Sequence, residues 1–290
     1  EGTVTASPGV QGDTARLECT PASSYYTLTN VTKSRTPSAG PFRVSRNWLE
    51  NGNDITVSGN VDGRRIGAVN IYSSQDFFIH TFLERLRAKG IRWLPDYSFG
   101  EFQKDCVSVR MAYYNTPVQA VVNQIMKESD NLNAEAMLCR LGAQSAGNKY
   151  VSAEDGLSEV RQLIRKLGYV PDHYKLADGC GLSNYNYISS ELLVAFLKFA
   201  YSRTDVFQKL YKALPIGGVD GTLKNRMKKG TPSYKKVHAK TGSFTAINCL
   251  AGYLEANNGH QIAFAIMNQN VLSGREARRF QGAVCDILIR

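Results

Sequence analysis

Two periodicities divide the chain. Near its start polar and apolar residues alternate: Thr3–Thr20 holds two alternating segments around a Gly12-Asp13 turn, and Asn53–Val61 repeats the pattern before Asp62-Gly63. A period of two sorts side chains onto the two faces of a strand, so residues 1 to about 72 predict β structure joined by turns. From Asp76 to Lys89 the period lengthens. Phe78, Phe82 and Leu86, with Ile79 and Leu83, share one side of a helix that Gly90 ends. Residues 93–116 turn irregular or extended, and a boundary near Val109 to Tyr114 separates a β-rich accessory region at 1–111 from a second region at 112–290.

Helices dominate from Pro117, a residue suited to a first helical turn. Val118, Val121, Val122, Ile125 and Met126 make an apolar stripe that ends at Glu128. A second helix, Leu132 to Leu141, is expected to stop at Gly142. Ser152 with Asp155 reads as the start of a third, which runs along Leu157, Val160, Leu163, Ile164 and Leu167 and closes at Gly168. Another begins at Ser189 or Ser190. Three strands follow, in Lys235–Gly242, Ala246–Glu255 and Gln261–Gln269, the last two joined by the hairpin signal Asn257-Asn258-Gly259. A helix from about Gly274 finishes the chain. Helices on the faces of an antiparallel sheet, preceded by a β-rich region, make the fold class α+β.

Composition narrows this picture only slightly. With 290 residues, 43% hydrophobic and 21% charged, the chain is an ordered globular protein of one large domain or two ordinary ones. No apolar run reaches the ~18 residues of a membrane-spanning helix. The net charge of +10 suits an anionic partner such as a cell-wall polymer, a membrane or a nucleic acid, and its sign does not choose among them. The six cysteines (Cys19, Cys106, Cys139, Cys180, Cys249, Cys285) lack the Cys-x-x-Cys spacing of zinc or redox sites, and most read as buried small hydrophobes; their even number leaves disulfides open. Four scattered histidines give no metal site, and no cofactor motif is present.

The chemistry sits at two triplets. Ser129-Asp130-Asn131 interrupts the apolar helical pattern, and the ordinary reading is that Ser129 or Asp130 caps the next helix. Far downstream, Lys240-Thr241-Gly242 ends a predicted strand. Each triplet alone would arise by chance in a few per cent of chains this long, and the two together are hard to assign to chance. S-D-N and K-T-G, with S-x-x-K, form the signature of penicillin-binding proteins and related β-lactamases. With the segments around Met126–Glu135, Leu176–Ser189, Leu214–Leu223 and Lys240–Leu254, they give a chain that resembles the class C, low-molecular-mass penicillin-binding proteins, the D-alanyl-D-alanine carboxypeptidase/endopeptidase family. The resemblance is close over 112–290 and looser over 1–111.

That resemblance implies a bacterial periplasmic or cell-envelope serine peptidase acting on peptidoglycan stem peptides through an acyl-enzyme. In the family the S-x-x-K serine attacks the carbonyl between two D-alanines, and its lysine serves as base. By the same resemblance Ser129 relays a proton, and Asn131 binds the substrate's peptide group. Lys240 places positive charge near Ser129 and the substrate's terminal carboxylate. Thr241 donates to that carboxylate, Gly242 leaves room for an extended peptide, and the Ser243 N–H is one oxyanion donor.

One element of the pattern is out of place. The chain's sole Ser-x-x-Lys is Ser233-Tyr234-Lys235-Lys236, preceded by Pro232 and followed by a strand, so Ser233 is not expected to be the nucleophile. No nucleophile is assigned in this chain. It begins at Glu1 without a methionine and is expected to lack the family's nucleophile segment, so β-lactams are partners only where that segment is present. Two other readings stand beside the peptidase: a catalytically inactive relative that binds wall peptides, and a basic nucleic-acid-binding protein, which no recognition motif supports. Cys180, where the family usually has serine, reads as a packed substitute. Gly217–Gly221 reads as a turn, and Lys224, Arg226, Lys228, Lys229, Lys235 and Lys236 as a solvated face.

Overall fold

The computed structural model describes residues 2–92, 97–100, 112–145 and 151–290. The chain divides into two compact units, Glu1–Val107 and Ser108–Arg290. Most of the stretch expected to be irregular, the Val109–Met111 part of the predicted boundary and Cys106 lie outside the described residues. Residues 97–100 and 112–117 carry no regular secondary structure.

The first unit holds β1 (Gly2–Ser7), β2 (Arg16–Thr20), β3 (Thr27–Ser34), β4 (Arg43–Arg46), β5 (Asp54–Val61), β6 (Arg65–Val69) and helix α1 (Ser74–Ala88). Two three-stranded sheets form, in the orders β2-β1-β6 and β3-β5-β4; β3 runs parallel to β5 and the other pairs are antiparallel. Alternation in β5 turns Ile55, Val57 and Val61 inward. Ile55 and Val57 share a core with Val4, Tyr26, Val69 and Phe77, and Val61 packs in a second cluster with Ala6 and Ala15. Here the helix expectation needs correcting: α1 buries Phe77 and Thr81, while Phe78 and Phe82 are exposed. The periodicity was right and the phase was wrong by one residue, because Phe77 packs against Tyr25 and Tyr26 from a segment distant in sequence.

The second unit carries α2 (Val118–Glu128), α3 (Asn131–Ser145), α4 (Ala153–Lys166), α5 (Ser190–Tyr201), α6 (Thr204–Ala213), β7 (Val237–Phe244), β8 (Ile247–Glu255), β9 (Gln261–Asn268) and α7 (Gly274–Ile289). The strands form an antiparallel sheet in the order β7-β8-β9. On one face Val237, Ala239, Leu250, Leu254 and Phe264 pack with Cys285 and Ile289 of α7. On the other, the Tyr253 hydroxyl donates to the Leu197 carbonyl of α5 at 2.7 Å, and the His238 ring stacks on Tyr211 of α6 at 3.9 Å. The sheet is therefore covered by helices on both faces.

Two glycines in this unit behave differently. Gly168 lies at φ 86° just past α4 and ends that helix, as expected. Gly142 does not stop its helix, which continues to Ser145; a side chain there would place its Cβ 2.8 Å from the backbone N of Gly156. At Gly156 a Cβ would collide with the carbonyl of Leu138. These two glycines let α3 and α4 touch backbone to backbone. The capping box of Ser152 and Asp155 forms, and α6 is an element the sequence reading passed over. Among the described cysteines all are free, and Cys285 alone is fully buried, so most are half-buried rather than interior.

Candidate active site

The break between α2 and α3 is built in three residues. Ser129 sits in the left-handed region (φ 59°, ψ 45°), which ends α2 and turns the chain. Asp130 then caps α3: its Oδ1 accepts from the Asn133 backbone N–H at 2.9 Å and its Oδ2 from the Asn133 side chain at 3.0 Å. The Asn133 backbone N–H, ahead of smaller effects, holds this carboxyl below its usual range. Asn131 is the first residue of α3, with an exposed side chain.

Ser129 and Lys240 meet. The Lys240 ammonium donates to the Ser129 Oγ at 2.7 Å and to the Thr241 carbonyl, also at 2.7 Å. Burial lowers its pKa from lysine's ordinary 10.5. Among the described residues no carboxylate pairs with it. A cation held partly out of water and short of an anion attracts one strongly. Two residues along, burial pushes the His238 imidazole down from 6.5 and favours its neutral form.

The outer edge of β7 is half covered. Gly217 donates to the Val237 carbonyl at 2.9 Å and Ala239 donates to the Pro215 carbonyl at 3.0 Å, so segment 215–217 pairs with the first part of the strand. Strand alternation that turns the backbone of Val237 and Ala239 outward does the same for Thr241 and Ser243, and no described strand pairs with that edge. Gly242 is exposed, and a Cβ there would meet only Cys249 at 3.7 Å, so its bareness leaves space beside the edge rather than within the sheet. The Thr241 hydroxyl donates to that of Thr222 at 2.9 Å, and Ser243 Oγ lies 3.4 Å from Asn248 Oδ1.

Other sequence candidates lie away from this constellation. Ser233 is 1% exposed, its hydroxyl is paired with Thr231 at 3.1 Å, and its backbone N–H is held by Asp286. Lys236, the lysine of that Ser-x-x-Lys, reaches Asn257 instead. Arg226 departs from the solvated-face reading: it is half-buried and donates to Gln281 Oε1 at 2.8 Å, and burial lowers its pKa. Burial and Glu135 raise the Cys180 thiol's pKa, as suits a packed residue. Glu135, Asp178 and Cys180 bring three potential ligand atoms within 4.8 Å of one another. Both carboxylates already accept hydrogen bonds from the 179–186 turn, which accounts for their place. A 360 Å³ apolar cavity lies between α2, α3 and α4, lined by Ile125, Met126, Met137 and Leu141 among others.

Comparison with known proteins matches residues 2–289 to the model of the D-Ala-D-Ala carboxypeptidase 3 (S13) family. The chain belongs to this family. Its members are the class C, low-molecular-mass penicillin-binding proteins. It is similar to the D-alanyl-D-alanine carboxypeptidase of Actinomadura sp. (strain R39), at 28% identity over 97% of this chain and 53% of that one. It also matches the carboxypeptidase DacB of Mycolicibacterium smegmatis, 32% identical over 54% of this chain and 34% of that one. The chain thus spans about half, or less, of the curated relatives it matches. In fold it is similar to penicillin binding protein 4 of Haemophilus influenzae, with a TM-score of 0.72 and 20% identity over 99% of this chain and 66% of that one. A second structure of that protein, complexed with a β-lactam, gives 0.68 at 21% identity over 100% and 69%. Both establish a mixed α+β fold that includes the β-rich N-terminal part.

The sequence reading missed the residues that brace this family's two triplets. Lys127 and Asp220 form an ion pair at 2.7 Å, and Thr222 meets Thr241. Their signal was present: Lys127 directly precedes Glu128 and Ser129, and Asp220 and Thr222 fall in the Leu214–Leu223 segment already singled out.

Proposed function

We propose that this chain supplies the S-D-N and K-T-G side of a serine D-alanyl-D-alanine carboxypeptidase/endopeptidase site for peptidoglycan stem peptides, in the bacterial cell envelope. The observation that carries the reading is the 2.7 Å hydrogen bond from Lys240 to Ser129, which brings the two triplets together. A stem peptide ending in D-Ala-D-Ala lies antiparallel along the open edge of β7. Its carboxylate meets the Lys240 ammonium and the Thr241 hydroxyl, while Thr222 turns its own hydroxyl to donate to Thr241. Asn131, exposed at the start of α3, binds the peptide group. The outward N–H of Ser243 faces the carbonyl under attack and stabilises the oxyanion. Ser129 passes a proton to the leaving amine, and Lys240 holds the Ser129 hydroxyl in place.

The attacking serine and its lysine base come from an S-x-x-K segment that is not among these residues, since Ser233 is buried and turned to Thr231. The apolar cavity beside α2 and the outer edge of β9, unpaired among the described residues, support a further packed segment of that kind. Incubated with penicillin, the 290-residue chain is expected to show no added penicilloyl mass in intact-protein mass spectrometry. An adduct would place the nucleophile within this chain and overturn the assignment. A peptide ending in D-Ala-D-Ala is expected to bind about tenfold more weakly to Lys240→Met. Equal affinity would remove Lys240 from the carboxylate site.

Burial of Ser233 also favours a second reading, an inactive relative that uses the same groove to bind wall peptides. An S-x-x-K encoded in frame before Glu1 selects the hydrolase, and a start codon there selects the binder.

A further inference from the structure

We infer that the Lys127–Asp220 pair is a positioning device that fixes the Ser129 hydroxyl against the Lys240 ammonium; its link to catalysis rests on the function proposed above. The need for such a device is visible in α2. None of its residues is fully buried, so packing alone does not fix the end of the helix that carries Ser129. Ser129 itself holds a left-handed conformation that a residue with a Cβ adopts only when its surroundings require it.

The requirement is met by Lys127, two residues earlier. Its ammonium donates to the Leu214 carbonyl at 2.6 Å and to both Asp220 oxygens, at 2.8 and 2.7 Å. Asp220 Oδ1 also accepts from the Ile216 N–H at 2.8 Å. Ile216 bridges His238 on β7, and Pro215 accepts from Ala239, the residue before Lys240. The main chain of the same segment braces α2 directly: at Gly221 (φ 52°) a Cβ would lie 2.8 Å from the Lys127 carbonyl. These links close a ring that runs from Ser129 through Lys127, Asp220, Ile216 and β7 to Lys240, and back to Ser129 through the 2.7 Å hydrogen bond. A side chain at 127 that made none of these three hydrogen bonds would leave the helix end free to swing, and displacements of about 1 Å at a reacting group lower rates by roughly a hundredfold.

The test observes Lys240 itself, and denaturation midpoints of the same variants separate a local change from a general loss of stability. In the 290-residue chain, with lysine labelled by nitrogen-15, the Lys240 ammonium is expected to give a slowly exchanging NMR signal, identified by its absence in Lys240→Met. Asp220→Asn is expected to speed that exchange about tenfold, as loss of a charge-assisted bond implies, while Lys127→Arg, which keeps a cation for Asp220, leaves it near the original rate. The double variant Lys127→Met/Asp220→Leu removes both charges without stranding either one, and is expected to behave like Asp220→Asn. Unchanged Lys240 exchange in a folded Asp220→Asn or double variant overturns the inference; if the double variant fails to fold, Asp220→Asn decides alone. Peptide affinity, measured on the same samples, separates the two claims. A chain that binds no D-Ala-D-Ala peptide but shows the Lys240 response defeats the function and leaves the positioning role standing.

Discussion

Lys240 and Ser129 are joined by a bond whose two ends were legible as triplets, because each triplet is a contiguous word with a chemistry attached. Lys127 and Asp220 were not legible as a pair, since 35 basic and 25 acidic residues offer too many combinations for sequence to select one. Burial supplies the Lys240 prediction. Its folded pKa lies below the ordinary 10.5, so between the two values the unfolded chain holds more of this proton than the native one. The contribution of this group to stability therefore rises as pH climbs through that window. Affinity moves the other way, because the ammonium that attracts a carboxylate is lost there. Titrating the affinity of a D-Ala-D-Ala peptide upward from neutral pH is expected to show a decline that starts below the range of an exposed lysine. A flat profile up to 10.5 would mean that the cation is not in contact with the peptide.

At the scale of elements, the strands and helices of the second unit followed their periodicities apart from α6, which was passed over, and the misread glycine and helix phase came from distant partners. Gly142 and Gly168 look alike in sequence, each following a run of apolar helical residues, yet one ends a helix and the other is a contact surface. Only the neighbouring helix distinguishes them: Gly156 and Asp155 lie against Gly142, whereas nothing lies within 4 Å of a Cβ built at Gly168. The phase of α1 was missed for the same reason, since Tyr25 and Tyr26 select Phe77. Gly156→Ala is expected to push α3 off α4 and to lower stability by about 1–3 kcal/mol in chemical denaturation, despite alanine's better helix propensity. A gain in stability would show that the two backbones do not approach as closely as described.

For the whole molecule, the sheet, its helical covers and the segment at 215–217 act together on the groove. That segment occupies β7 up to Ala239 and stops one residue before Lys240. A strand added antiparallel to β7 runs with its C-terminal end toward Ala239. Any residue beyond the terminal carboxylate would then meet Pro215–Gly217 instead of open backbone. On the proposed function, the covered half of one edge strand serves as an end-stop that admits free chain termini and turns away continuous polypeptide. A D-Ala-D-Ala peptide lengthened by two residues at its C-terminus is expected to lose at least about tenfold in affinity compared with the free acid. Equal binding of the two would mean that the groove measures no terminus at all.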